Sequence, residues 1–332
     1  MALSNRLKKV FLALASVIVA LGVFEIFLRL IGYDYTPLSI QLEKQTKEEY
    51  SEWRDYHAFQ DKHFTYDPYL FWVPRKDAPG FNAQGYRGKE LSPEKAPGSY
   101  RIFTIGDSNT LGWVEENSPN WPRYLEGLLT EKDDRYTVVN AGVYGYTSFQ
   151  GLRAFKQALR YEPDMVLISF GCNDGMRVTV SDANYASRRP RLDKVLCKSR
   201  VGQLLLSCSD KLSPKGDGLV PRVSVEEYKD NLNEIIRIAK EKRIQVVLLT
   251  RPFTGPSQNE RWWKNFAPEY NAATREVGKN NDVPVIDIYA EFEVKDPKQY
   301  FSDEAHFTEK GHRDTAQIIY DRILPLLKDA GR

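Results

Sequence analysis

Ser108, Asp303 and His306 are the residue types that nucleophilic chemistry at a carbonyl uses, and each stands in a context that suits its part. Ser108 follows the strand-like run Arg101-Ile102-Phe103-Thr104-Ile105 and the break Gly106-Asp107. A serine at such a strand-to-helix turn stands clear of the sheet, and the free N–H groups of the helix start stabilise negative charge on an attacked carbonyl oxygen. The hydroxyl alone is inert; it needs a base, and the base needs an orienting carboxylate. Toward the other end, Asp303-Glu304-Ala305-His306 sets a carboxylate three residues before a histidine.

Two further polar signals close predicted strands. Tyr136 to Asn140 runs into Ala141-Gly142-Val143-Tyr144-Gly145-Tyr146-Thr147, and Asp164 to Phe170 runs into Gly171-Cys172-Asn173-Asp174. In an open parallel sheet the ligand sits outside the carboxyl ends of the strands, so Ser108, Gly145 and Asn173 converge on one crevice. Structural roles compete at several positions: Asp107 shapes the turn, Asn173 or Asp174 caps the next segment with Asp174 the better loop anchor, and Gly142 is the alternative to Gly145 as an N–H donor.

The blocks Gly-Asp-Ser, Asn-x-Gly-x-x-Gly, Gly-x-Asn-Asp and Asp-x-x-His occur in that order, and roughly residues 100 to 330 resemble the SGNH (GDSL-type) hydrolases, a family of serine esterases, thioesterases and lysophospholipases. The resemblance implies an α/β fold: a three-layer α/β/α, flavodoxin-like, parallel five-stranded sheet. It also implies Ser108 as nucleophile, His306 as base, Asp303 as its orienter, and Ser108 N–H, Gly145 N–H and the Asn173 side chain as the oxyanion hole. One departure is Asn109, where many members carry leucine; following the nucleophile, it is expected to tune packing and to bear on substrate preference.

The elements expected to position these groups alternate strand and helix: strand 101 to 106, helix 120 to 131, strand 136 to 140, helix 148 to 160 and strand 164 to 170. After an irregular insertion, about 176 to 223, come helix 224 to 242, strand 244 to 250, helix 261 to 279, strand 283 to 288 and a last helix near 308 to 328. The insertion is basic, with Arg188, Arg189, Arg191, Lys194, Lys198 and Arg200, and reads as a solvated loop or as a site for anionic substrate or lipid headgroups.

The expected organisation is a membrane anchor at 1–33, an aromatic-rich connecting segment at 34–98 that packs onto the domain or the membrane surface, and the hydrolase domain at 99–332. Val10 to Phe24 is apolar or small apart from Ser16, and the pattern resumes after Glu25. A helix over residues 10–31 is about 33 Å long and crosses a bilayer core. Arg6, Lys8 and Lys9 precede it, so the positive-inside rule puts the N-terminus in the cytoplasm and the catalytic domain outside, periplasmic or at the cell surface. A cleavable signal peptide is the alternative; no small-x-small site follows the apolar run. Glu25 and Arg29, four apart, are placed to pair or to reach headgroups.

With 332 residues, 42% hydrophobic content and a net charge of +2, the chain reads as one large α/β domain with extensions, and no basic stripe with interleaved aromatics points to nucleic acid. In an oxidising compartment Cys197 and Cys208 are the candidate disulfide, while Cys172 reads as buried and free. No metal or cofactor is expected, since His306 and His312 are six apart and fall on different helix faces. His312 reads as structural, and His57 and His63 as surface or lid.

The expected partner is an acyl-ester substrate, with an envelope glycan carrying short acyl groups favoured because Trp113, Tyr144 and Tyr146 are predicted to rim the crevice with flat amphipathic rings. The alternatives are a lipid esterase, lysophospholipase or thioesterase, a glycan O-acyltransferase using the same acyl-enzyme, and a non-catalytic glycan-binding module, disfavoured because no triad position is lost.

Overall fold

The computed structural model describes residues 2–33, 63–76, 78–112, 120–178, 180–188, 193–212, 220–253, 268–293, 295–303 and 305–329. His57, Trp113, Arg189 and Arg191 therefore lie outside the described residues, as does most of the segment 34–62. The chain divides into two compact units, Met1–Val73 with Ala186–Lys215 and Pro74–Tyr185 with Gly216–Arg332.

The larger unit is built on a five-stranded sheet. Its strands are β3 (Tyr100–Gly106), β4 (Tyr136–Asn140), β5 (Met165–Ser169), β8 (Gln245–Leu249) and β9 (Val285–Ile286), in the order β4-β3-β5-β8-β9. Every pairing is parallel, with Ile102 opposite both Val138 and Met165 and Leu167 opposite Val247. This is the flavodoxin-like order, and the direction of winding reverses between β3 and β5, where such sheets open a crevice. β1 (Phe64–Asp67) and β2 (Phe71–Pro74) form a separate pair earlier in the chain, and β6 (Arg177–Val178) pairs antiparallel with β7 (Val220–Pro221).

Sheet strands buried on both faces need apolar residues at every position, and MVLIS and QVVLL read that way. One face packs Ile102, Val138, Met165, Leu167, Val247 and Leu249 against Trp121, Leu125 and Leu129 of α3 (Trp121–Thr130) and Ala316, Ile319 and Ile323 of α12 (Glu309–Asp329). Of the other three long helices, α8 (Val225–Glu241) packs between α4 (Ser148–Ala158) and α9 (Pro268–Asn281), touching both. Each fully buried aliphatic or aromatic side chain contributes about 1.5–3 kcal/mol. The ends are set locally: capping boxes start α4 at Thr147 with Gln150 and α8 at Ser224 with Glu227, and Asn120 caps α3.

The expected strand boundaries hold to within one residue except at β9, expected over 283–288 and two residues shorter at each end. There Asp287 ends the strand by accepting from Ala290 N–H, which starts α10 (Ile288–Glu293), while its carboxylate also takes Thr250 Oγ1 and Arg275. Strand propensity yields to a helix cap. The insertion is not irregular either. Besides β6 and β7 it carries α5 (Asp182–Arg188), α6 (Asp193–Leu196) and α7 (Arg200–Leu212), the last an amphipathic helix whose period is masked in the sequence by serines and basic residues. The final short helix, α11 (Pro297–Tyr300), leads into the histidine loop.

In the smaller unit, α1 (Ala2–Leu30) is long and apolar enough to cross a membrane, by length and composition, a property a signal sequence shares. Ser16, the polar residue in its apolar run, returns its hydroxyl to Leu12 O at 2.9 Å, and Glu25 and Arg29 pair at 2.7 Å as their spacing predicted. The helix ends in a Schellman motif: Tyr33 N–H reaches Leu28 O at 2.9 Å, Gly32 N–H reaches Arg29 O at 3.1 Å, and Gly32 takes the left-handed conformation. Tyr33 then packs with Tyr66, Leu196, Cys197 and Leu206.

Two expectations are corrected here. Cys197 and Cys208 are not joined in a disulfide, and neither is the buried Cys172. Cys197 packs on the Leu206 face of α7, and Cys208, two residues or about 200° further round that helix, is exposed on another side. His63, expected at the surface or in a lid, is buried just before β1.

His312 is structural as expected, buried with its ring edge on Phe307 at 5.4 Å between centroids. Burial, with help from the nearby Arg87, pushes its pKa from 6.5 down to about 3. Between those values the unfolded chain binds a proton that the folded one refuses, so this stabilisation is present above pH 6.5 and is lost as pH falls toward 3, at up to about 1.4 kcal/mol per pH unit. Urea midpoints should therefore fall on acidification more steeply in the parent than in His312→Gln; equal slopes would show that this histidine carries no such linkage.

Candidate active site

The sheet delivers three turns to one edge. At the end of β3, Asp107 caps the four-residue helix α2 (Ser108–Leu111), its Oδ1 accepting from Asn109 N–H at 2.9 Å. The cap is Asp107, not Ser108, so the serine hydroxyl is spared for other use. Ser108 Oγ lies 2.8 Å from His306 Nε2, and His306 Nδ1 lies 2.6 Å from Asp303 Oδ2. With Nδ1–H facing the carboxylate, Nε2 turns its lone pair toward the Ser108 hydroxyl, a geometry in which it can accept a proton.

The three-residue spacing of Asp303 and His306 is explained by a tight loop. Asp303 Oδ1 accepts from Ala305 N–H and His306 N–H, both at 2.7 Å, and Ser302 N–H closes the loop on His306 O at 2.9 Å. One carboxylate oxygen folds the loop and the other aligns the imidazole. Burial alone pushes the Asp303 carboxyl up, but the hydrogen bond and charge of His306 and the two backbone donors outweigh it and hold the group below its usual range.

After β4, Gly145 adopts φ +72°, a conformation that suits glycine, and its N–H has no partner among the described residues. Gly142, the alternative donor, has its N–H occupied by Asn140 Oδ1 at 3.0 Å. It serves close approach instead, since a Cβ there would collide with the backbone of Thr110 and Leu111. After β5, Asn173 Nδ2 gives one N–H to Tyr146 O at 3.0 Å and keeps a second. Asp174 anchors this loop from the interior, accepting from Ser148 N–H, Ser148 Oγ and Gly171 N–H; burial pushes its carboxyl up to about 7.

Four residues that hold these turns were given no such role in the sequence, although Asn140 opens the Asn-x-Gly-x-x-Gly block. Arg251, at the end of β8, donates to Asp107 Oδ2 at 2.8 Å and to Ala305 O at 2.9 Å, joining the residue before Ser108 to the residue before His306. Arg222 forks onto Asp182 and donates to Gly145 O at 2.7 Å, fixing the glycine turn. Asn140 and Arg87 gather the carbonyls at the end of α2, Asn140 through Thr110 O and Leu111 O and Arg87 through Leu111 O and Gly112 O. A charged residue at a strand's carboxyl end was a usable signal for Arg251; Arg222 and Arg87 lie outside any such pattern.

Two sequence expectations change. Asn109 does more than tune packing: its Oδ1 accepts from Phe307 N–H at 3.1 Å, so the residue after Ser108 holds the residue after His306. Asn109→Leu leaves that buried N–H unpaired, at about 1–3 kcal/mol. It is expected to lower kcat about tenfold or more, on this scale of lost positioning, with little change in KM; a fully active Asn109→Leu would show the bond to be idle. Tyr146 is buried at 1% exposure and does not rim a crevice, whereas Tyr144 keeps part of its surface exposed.

Among the described residues no group of three or more histidine, cysteine or acidic side chains is placed to hold a metal ion.

The sheet order is that of a flavodoxin-like α/β fold, and the site sets a serine, a histidine and an aspartate in one hydrogen-bonded line. Residues 104–313 match the GDSL-like lipase/acylhydrolase family, and the chain belongs to that family of carboxylic ester hydrolases. It is similar to an arylesterase of Vibrio mimicus, 36% identical over 80 residues, which make up 24% of this chain and 40% of the arylesterase. It thus spans less than half of that relative. It is also similar to the uncharacterized lipoprotein YqeF of Bacillus subtilis, 26% identical over 242 residues that cover 67% of this chain and 87% of the lipoprotein. Among solved structures, a lipase/acylhydrolase from Enterococcus faecalis is 23% identical over 68% of this chain and 95% of its own, with a TM-score of 0.48.

Proposed function

We propose that this chain hydrolyses short acyl esters, acetyl above all, on an extracytoplasmic carbohydrate, with Ser108, His306 and Asp303 as its triad. The observation that carries the proposal is the continuous pair of contacts, Ser108 Oγ to His306 Nε2 at 2.8 Å and His306 Nδ1 to Asp303 Oδ2 at 2.6 Å. His306 takes the Ser108 proton as Oγ bonds to the ester carbon. The carbonyl oxygen becomes an oxyanion facing Ser108 N–H, Gly145 N–H and Asn173 Nδ2. Collapse breaks the carbon–oxygen bond to the alcohol, which leaves with the proton from His306. Water, deprotonated by the same imidazole, then attacks the acyl carbon; the bond to Oγ breaks, the carboxylic acid leaves, and His306 returns the proton to Ser108.

The carbohydrate part is supported by Arg6, Lys8 and Lys9 at the N-terminal end of α1, which by the positive-inside rule favours a catalytic unit outside the cytoplasm, and by the part-exposed Tyr144 beside Gly145. The test is a series of esters from acetyl to decanoyl, run with acetylated polysaccharides on the full chain in detergent. Highest kcat/KM on acetyl groups, with acetate released from polysaccharide, is the expected result. A preference for long acyl chains would replace this reading with a lipid esterase.

A further inference from the structure

The insertion helix α7 is tied to the apolar helix α1 by a buried-end contact. Glu25 Oε2 accepts from Val201 N–H at 2.9 Å, so a carboxylate of α1 caps the N-terminus of α7, where backbone N–H groups lack partners and the helix dipole favours negative charge. Leu28, one turn further along the same face of α1, is buried at 4% exposure. Such a bond suits a helix that stays with the chain.

The outward side of this hairpin is apolar. Val195 of α6 is 66% exposed and Leu205 of α7 is 56% exposed, and Val201, Leu204 and Cys208 lie along the same stretch of α7 with part or all of their surface open. Val201, Leu205 and Cys208 stand at i, i+4 and i+7, one helix face. Gly202, Gln203 and Leu206 occupy the buried side. Lys198 is exposed at the turn before α7, and Arg200 opens it. On α1 itself Ile26, Phe27 and Leu30 are exposed around the same level.

Depth fixes what this surface meets. Glu25 is five residues before the end of α1, about 8 Å along its axis. In a spanning α1 that level is the headgroup–acyl boundary, the depth of about 5–10 Å at which amphipathic helices lie on membranes. We propose that α6 and α7 form a membrane-surface element, their apolar face entering the outer leaflet and Lys198 and Arg200 meeting anionic phospholipid headgroups. This rests on the anchored reading of α1 and is independent of the triad. The insertion is then a second foothold for the chain beside its spanning helix.

The test uses the full chain reconstituted into phosphatidylcholine vesicles with and without phosphatidylglycerol. In a Cys197→Ser background the exposed Cys208 is labelled with an environment-sensitive fluorophore, Cys172 being buried. Nitroxide lipids labelled at the headgroup, high on the acyl chain or deep in it then report depth. The expected result is strongest quenching by the shallow labels, increased by phosphatidylglycerol and reduced several-fold by Val195→Glu with Leu205→Glu. Those substitutions should leave small-ester hydrolysis and resistance to alkaline extraction unchanged. Quenching no greater than at a probe on the exposed face of α12, introduced by Gln317→Cys, would overturn the surface element. Release of the chain by alkali would overturn it at the anchor, and loss of the Ser108-dependent activity alone would leave it standing.

Discussion

Ser108→Ala is expected to reduce ester hydrolysis by about four orders of magnitude or more, and His306→Ala to do the same, with the double variant little worse than either. The two side chains act as one unit, joined at 2.8 Å, so removing either leaves only what the oxyanion donors and binding supply. Neither change should unfold the loops. Asp107, not Ser108, caps α2, and the histidine loop is held by Asp303 through the backbone N–H groups of Ala305 and His306. Steady-state rates on an aryl acetate, with circular dichroism as the control for folding, measure the effect. A Ser108→Ala chain retaining more than about a hundredth of the parent rate would remove Ser108 from the role of nucleophile.

Asn173→Ala is expected to lower kcat by roughly a hundredfold or more, about 2.7–4 kcal/mol of transition-state stabilisation, with KM little changed. The direction follows from where charge develops. The amide spends one N–H on Tyr146 O, and the other is free to meet an oxygen that becomes anionic only during reaction. The loop itself hangs on Asp174, whose three accepted hydrogen bonds come from Ser148 and Gly171, so Asn173 can be truncated without loss of the turn. A parent-like kcat in Asn173→Ala would take this residue out of the oxyanion hole.

Much of this site was legible in the sequence because its parts sit where chain geometry is most constrained. Four strands are short apolar runs ending in Gly, Asn or a polar turn, and Ser108, Gly145 and Asn173 each lie in the turn after one of them. The residues that hold those turns were harder to see. Arg222 acts between Pro221 and a helix cap, and its partners Asp182 and Gly145 are brought to it only by the fold. Arg251 was within reach, since the strand-end rule that selects Ser108 selects it as well. Asn109 was misjudged because its partner is the backbone of Phe307, and a backbone N–H leaves no mark in a sequence. The helices of the insertion were hidden by composition: serines and basic residues around α7 masked an amphipathic period.

The arrangement around the nucleophile and the base has a consequence for how the enzyme is lost. Two stitches, Asp107 to Arg251 to Ala305 and Asn109 to Phe307, bracket Ser108 on one side and His306 on the other, although these residues are 198 positions apart in the chain. A seam of that kind ties the opening of the histidine loop to the opening of the core. Loss of ester hydrolysis and loss of the circular dichroism signal are then expected at the same denaturant concentration.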